Sequence, residues 1–270
     1  MVALTSPPTH TPGAGRLEVT RVGRRSVVRR AHAESPLRFV LTENAGHAAW
    51  VVTSSFGGGL VRGDVTRLAI DVDDDAGLAL LTQASTKVYR GASEQRLDAA
   101  IAPGALAAIL PDPVACFAGA SFVQRTRARL AADASLLLVD AYTSGRAAHG
   151  DEWRMTAIDA RIVVEVDGRE RVWDATRLDE RDGSIAARLP SVGAFATVVA
   201  IGPRAAPAAR AGLALVARPP RGARVAAAPI PGGALVRLAA ASAEALDDLV
   251  GLALGNLDEI LGDDPRRRRT

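Results

Sequence analysis

Lys87 is the single lysine in a 270-residue chain whose other cationic side chains, among 33 Lys+Arg, are all arginine. A lysine ammonium is a compact, hydrated point charge that can lose its proton when buried, whereas arginine is a planar fork that stays charged. One retained lysine therefore points to a place that needs an ammonium. Either it serves a site, or it forms a buried ion pair that anchors the adjacent Tyr89 and Arg90. Upstream, Ser54-Ser55-Phe56-Gly57-Gly58-Gly59 and then Gly63-Asp64 place three glycines in succession. Such a run lets backbone N–H groups converge on an anion, or lets a neighbouring chain approach closely. A phosphate-binding loop would put the lysine and a Ser/Thr directly after the glycines, at the start of a helix. Here Lys87 lies far downstream in Thr82-Gln83-Ala84-Ser85-Thr86-Lys87-Val88-Tyr89-Arg90, and strand-like sequence surrounds both segments. A special turn or packing point is the favoured reading. A phosphate- or nucleotide-binding enzyme built on Gly57–Gly59 and Lys87 is kept as the alternative, and a generic β-rich interaction module as a third.

Other chemistry-bearing residues are less organised. Asp71, Asp73 and Asp75 have the spacing of a calcium loop, but the sixth position is Ala76 and the twelfth Thr82, so an acidic turn is expected. The histidines are His10, His32, His47 and His149, with no close-spaced pair, and Cys116 has no local partner. No fixed metal site is legible. His149, near Arg146 and Asp151, reads as a surface residue. Asp140 follows the apolar run Leu136–Val139, and Asp174 follows Val172-Trp173. A carboxylate beside an apolar strand is either exposed at a strand end or buried and paired; exposure is the favoured expectation. No Gly-x-Ser-x-Gly elbow occurs.

The elements that must position these residues are mostly strands. Leu68, Ile70 and Val72 alternate with Arg67, Ala69 and Asp71. Phe122, Gln124, Thr126, Ala128 and Leu130 alternate with Val123, Arg125, Arg127 and Arg129. A period of two marks half-buried strands. Asp167-Gly168 between Arg161–Val166 and Arg169–Asp174 predicts a hairpin. Residues 1–15, rich in Pro, Gly and Thr, are expected to be disordered. A β-rich body is expected over 16–200 and a smaller α+β part over 201–262. That part would hold about two helices: one near Pro207–Ala217 with Pro207 in its first turn, and one opened by Ser242 as N-cap. Pro231-Gly232-Gly233 reads as a turn between two of its strands. Residues 263–270 form a basic end, and Arg266–Arg269 read as a solvated tail.

The net charge of +3, the scattered arginines and only 4% aromatics argue against nucleic-acid binding. No apolar stretch is long enough to span a bilayer, and no secretory leader is expected. A single cysteine excludes an internal disulfide and fits a reducing cytoplasm.

Taken in order, these segments resemble the UreD (UreH) urease accessory protein family. The resemblance rests on Gly57-Gly58-Gly59 through Gly63-Asp64, and on Thr82 through Arg90. It continues with Leu110-Pro111-Asp112-Pro113, Phe117-Ala118-Gly119-Ala120, Asp140 through Gly145-Arg146, and Gly150-Asp151. It runs from about Arg16 to Gly262 and departs from the family at Phe56, at Ala115-Cys116, at Asp140 and Asp151, where glutamate is frequent, and in the final Asp264-Pro265-Arg266. The resemblance implies a mainly β, β-helix-like body that is not an enzyme. It implies a scaffold that binds UreF, meets the GTPase UreG through UreF, and contacts apo-urease. It also implies delivery of Ni2+ in transit through an internal conduit, with no permanently bound cofactor. The candidate partner or conduit residues are Gly57, Gly58, Gly59, Gly63, Asp64, Thr86, Lys87, Tyr89, Arg90, Asp140, Gly145, Arg146 and Asp174. Asp64, Asp140 and Asp174 are the weak transit ligands among them, because a conduit must not trap a metal that binds imidazole and thiolate tightly.

Overall fold

The computed structural model describes residues 11–43, 46–146 and 149–267. The fold is mainly β, as expected. Its strands are β1 (Ala14–Val22), β2 (Arg25–Ala33), β3 (Leu37–Thr42), β4 (Ala49–Ser55), β5 (Val65–Val72), β6 (Gly77–Thr82), β7 (Lys87–Val88), β8 (Gly91–Ile101) and β9 (Leu106–Leu110). They continue as β10 (Val114–Cys116), β11 (Ala120–Leu130), β12 (Ser135–Thr143), β13 (Ala157–Val166), β14 (Arg169–Asp179), β15 (Ala194–Ile201), β16 (Arg224–Ile230) and β17 (Gly233–Ala240). The helices are α1 (Ile185–Arg188), α2 (Ala206–Leu215), α3 (Ala243–Leu254) and α4 (Leu257–Leu261).

From β4 to β13 the chain alternates between two sheets. The outer sheet has the order β14-β13-β11-β8-β5-β1-β2; the central sheet runs β16-β17-β15-β12-β9-β6-β4-β3. Strands β5, β8, β11 and β13 pair in parallel, as do β4, β6, β9 and β12. This is a two-sided β-helix, and each coil adds one strand to each sheet. Short β7 and β10, paired in parallel, make a partial third side beside β12. The buried strands read accordingly. All nine residues of β12 are buried, because one face meets the outer sheet and the other meets helices.

The hairpin at Asp167-Gly168 forms with positive φ at both turn residues, and the turn at Pro231-Gly232-Gly233 joins β16 to β17. Both predicted C-terminal helices form. Ser242 caps α3, its Oγ accepting from the Ala245 N–H at 3.2 Å, and Pro207 sits in the first turn of α2. The single apolar stripe read from Leu246 to Leu261 is broken after Leu254, where Gly255 ends α3 and Asn256 caps α4. Strands β16 and β17 extend the central sheet, and α2 and α3 cover its outer side over a cluster that includes Val139, Ala196, Val236, Leu249 and Leu254.

Residues 1–10 lie outside the described residues, while Ala14 and Gly15, expected to be disordered, already belong to β1. Arg266, expected in a solvated tail, is instead docked on α3. Its Nη2 pairs with Asp247 Oδ1 at 2.8 Å and its side chain is only 15% exposed; Arg268–Thr270 lie outside the described residues. Of the Asp71–Asp75 segment, Asp71 lies in β5, and Asp73 and Asp75 lie in the turn between β5 and β6, with Asp75 at φ 56°.

Candidate functional site

The space between the two sheets is not uniformly apolar. Near one end of the coil it is filled by residues such as Leu17, Ile70, Leu80, Ile109, Leu136 and Val164. Near the other it is filled by Phe122, Tyr142, Trp153, Met155 and Ile158. A polar belt lies between these two apolar clusters. On the outer sheet, Thr66, Gln95, Gln124, Ala160 and Thr176 are successive Cα partners across five strands. In the adjacent rung, Leu68, Leu97, Thr126, Ile162 and Asp174 are partners in the same way. Facing them, Asp140, Thr197 and Arg237 are partners on β12, β15 and β17.

Asp140 is the centre of this belt. It is 5% exposed, its Oδ1 accepts from Gln124 Nε2 at 2.6 Å, and its Oδ2 accepts from the Tyr142 hydroxyl at 3.2 Å. Burial pushes its carboxyl up to about 7; the Tyr142 bond opposes this and the nearby Asp174 carboxylate reinforces it. Burial and the Asp140 carboxylate hold the Tyr142 hydroxyl well above its ordinary range. Asp174 is buried too, paired with the Arg237 guanidinium. The expectation of exposed strand-end carboxylates is therefore corrected at both positions: the strands run on past them, and the opposite sheet closes over them. Thr66 Oγ1, Ser93 Oγ and Gln124 Oε1 are buried with no hydrogen-bond partner among the described residues. Unmet polar groups of this kind are costly in an apolar core, and here they concentrate on the inner face of β5, β8 and β11.

Two surface cavities flank the belt. One, of about 350 Å³, is lined by Ser54, Ser55, Ser85, Thr86 and Lys87 and reaches Thr66 and Gln95. A smaller internal space of about 50 Å³ continues from Thr66 and Gln95 to Gln124, Thr126 and Val139. The other surface cavity, of about 340 Å³, is lined by Thr176, Thr197, Phe195 and Arg237. Gln124 lines the internal space and Arg237 the second cavity, and the buried carboxylates Asp140 and Asp174 are their respective hydrogen-bond partners.

The glycine and lysine motifs meet at the first cavity. Gly59 lies against β7: a Cβ there would come within 2.4 Å of the Lys87 carbonyl oxygen. The Leu60 N–H donates to that oxygen at 2.8 Å, and the Tyr89 N–H donates to the Leu60 carbonyl at 2.9 Å. The packing-point reading holds, and no helix follows the glycines as a phosphate-binding loop requires. Gly57 and Gly58, at φ 81° and 73°, take left-handed conformations that turn the chain after Phe56. Lys87 is exposed, with no ion pair among the described residues, so the buried-pair reading is corrected: β7 turns the ammonium outward while Val88 faces the core. Thr86 lines the same mouth, and its carbonyl accepts from the Ala115 N–H.

A second group forms at the neighbouring strand ends. Tyr89 packs edge-on against Phe117, with ring centroids 5.3 Å apart, and the Arg146 guanidinium lies 4.8 Å from the Phe117 ring centroid while pairing with Asp151. Gly145 is required by closeness, since a Cβ would lie 2.7 Å from the Cys116 carbonyl oxygen. Arg90 packs over Gly119. Gly63, at φ 92°, donates to the Ala92 carbonyl. Asp64 does not join Asp140 and Asp174; its carboxylate accepts from the Val61 N–H at 2.8 Å and closes the turn before β5. His149 is exposed, as expected. Gln124, Tyr142 and Arg237 were not singled out from the sequence. The usable signal was polar residues at inward parity, such as Gln124 and Thr126 between Phe122 and Ala128.

Soft or strongly basic ligands are withheld from the belt. Cys116 is fully buried in the apolar cluster, where burial pushes its thiol up to about 12, so it is not available as a thiolate. His47 Nε2 is engaged by Arg204 Nη2 at 3.0 Å on the far side of the central sheet. What faces the belt is oxygen, amide and guanidinium.

A two-sided β-solenoid with a hydrogen-bonded carboxylate belt inside it defines a scaffold built around a polar interior. The chain belongs to the UreD urease accessory protein family, whose sequence model matches residues 11–270. It is 47% identical to the urease accessory protein UreD of Sorangium cellulosum (strain So ce56), covering 95% of this chain and 84% of that one. It is 43% identical to the protein of that name from Anaeromyxobacter sp. (strain Fw109-5), covering 95% and 89%. Urease accessory protein D of Oryza sativa subsp. indica is 34% identical over 70% of this chain and 65% of its own. No helix among the described residues is long and apolar enough to cross a membrane.

Proposed function

We propose that this chain is a non-catalytic scaffold of urease maturation that passes Ni2+ toward apo-urease through the polar belt. The family and its relatives, named as urease accessory proteins, support the maturation role. The observation that carries the finer reading is the belt itself: a line of oxygen donors between two surface cavities, closed by Asp140 and Asp174. A divalent cation moving between carboxylate, amide and hydroxyl oxygens is held weakly, whereas thiolate and imidazole would retain it. In this scheme Asp140 releases its proton as the cation arrives and regains it afterwards, and Arg237 holds the Asp174 carboxylate in place by pairing with it. The scaffold would act in the cytoplasm, binding UreF and, through it, UreG, with the Lys87 mouth and the Tyr89–Arg146 end as candidate contact regions.

The test is co-expression of urease subunits and the other accessory proteins with this chain, or with its Asp140→Ala or Asp174→Ala variant, followed by measurement of urease-bound nickel. The parent should load nickel. Each variant should co-purify normally yet lower the nickel content. Full loading by both variants would remove the belt from the path; full loading with the chain omitted would remove the maturation role itself.

A further inference from the structure

The outer surface of the seven-stranded sheet, on the side away from the belt, carries four arginines in one rung. Arg67, Arg96, Arg125 and Arg161 are successive Cα partners on β5, β8, β11 and β13. Adjacent parallel strands lie about 4.8 Å apart, so the row spans roughly 14 Å. Like charges at directly opposed positions destabilise a sheet, and this row opposes three such pairs. Two members are neutralised locally. Arg96 Nε donates to Glu94 at 2.6 Å, and Arg125 makes a two-pronged pair with Asp159 at 3.0 and 2.9 Å. Arg67 and Arg161 are exposed, with no ion pair to an acidic side chain among the described residues. Beside Arg161 stands Trp173 on the edge strand β14, 57% exposed, with the Arg161 guanidinium 5.3 Å from its ring centroid.

We propose that this face docks a protein surface that presents carboxylates to Arg67 and Arg161 and covers Trp173. Exposed Trp and Arg are the residue types that dominate binding at protein interfaces, and a guanidinium fork matches a planar carboxylate through two parallel hydrogen bonds. The charge pattern selects against a phosphate backbone. Glu94, Asp98, Asp159 and Glu165 are interleaved with the arginines on this face and would oppose a uniformly charged polyanion. A protein surface can place its carboxylates at the two free forks and apolar atoms over the indole. The proposal does not rest on the conduit, because the row and the belt occupy opposite faces of the same strands.

The full chain reports on its own binding. Trp50 and Trp153 are each 3% exposed, so Trp173 is the tryptophan whose fluorescence responds to an occupant. Titration with a short peptide in which glutamates are interspersed with leucines should give a saturable emission change that weakens with salt, as screening of exposed charge requires. Arg67→Ser/Arg161→Ser should weaken binding about tenfold, while the charge-matched Arg24→Ser/Arg221→Ser control, in turns elsewhere, should leave it within about twofold. Arg67→Lys/Arg161→Lys should recover part of the affinity but not all, because lysine lacks the fork. Equal weakening by both serine pairs would reduce the effect to net charge and overturn the proposal. So would tighter binding of duplex DNA through the same two arginines, or the absence of any saturable change.

Discussion

Replacing Asp140 by Asn should make the protein more stable at pH 8 and change little at pH 4. The reasoning starts from a carboxyl moved from 3.8 to about 7 by burial between the sheets. Between those values the folded protein keeps a proton that the unfolded chain has released. Folding then binds protons, and stability falls as pH rises through the window. Each unit of displacement is worth 1.36 kcal/mol, so the full displacement corresponds to at most about 4 kcal/mol above pH 7 and nothing below the unfolded value. Asn is nearly the same size, accepts from Gln124 Nε2 as Asp140 does, and offers a donor to the unpartnered Gln124 Oε1. Urea unfolding of parent and variant, followed by the emission of the buried Trp50 and Trp153, gives the difference at each pH. A gain of about 2–4 kcal/mol at pH 8 that shrinks to within about 0.5 kcal/mol at pH 4 is expected. A difference independent of pH would refute the claim that Asp140 holds a proton near neutrality. The same variant should load less nickel into urease, which would separate the cost of a buried charge from its use.

Gly59→Ala should destabilise by about 2 kcal/mol, because its Cβ collides with the Lys87 carbonyl oxygen and the surrounding strands leave no room to yield; thermal unfolding beside Gly57→Ala, where nothing lies within 4 Å, isolates the collision from backbone strain. Arg237→Met should cost about 2 kcal/mol by leaving Asp174 buried without its cation, less than a fully enclosed pair because the guanidinium is half exposed; unchanged stability would show that the pair contributes nothing to the fold. Lys87→Ala should stay soluble and within about 0.5 kcal/mol of the parent, since the ammonium is exposed; insoluble protein would restore the anchoring role, and loss of urease activation in soluble protein would assign the ammonium to function.

Local rules carried much of the fold. The Asp167-Gly168 hairpin, the Ser242 cap, the Pro207 helix start and the alternation of β5 and β11 all depend on neighbours in sequence, and all formed. The end of α3 at Leu254 was hidden because the apolar stripe continues through Leu257, Ile260 and Leu261; only the Gly255-Asn256 pair marks the break. The site was less legible. Gly59 and Lys87 share a packing point across 28 positions of chain, and the special character of each was visible before their contact was. Asp140 and Asp174 were visible as carboxylates beside apolar runs, but their burial depends on which strands of the other sheet lie above them. Asp64 looked like their equal and is a turn cap, a distinction that rests on one hydrogen bond from Val61.

Ala160 has a consequence of its own. It is the smallest inward side chain in the rung that runs from Thr66 to Thr176, and it is 2% exposed. It packs with Phe122, Tyr142 and Ile158, so a bulkier aliphatic residue there would press into the polar belt beside it while leaving every ionisable group in place. Under the proposed conduit, nickel loading would then fall by girth alone, which gives an experimenter, or a lineage, a valve that works without touching the acids.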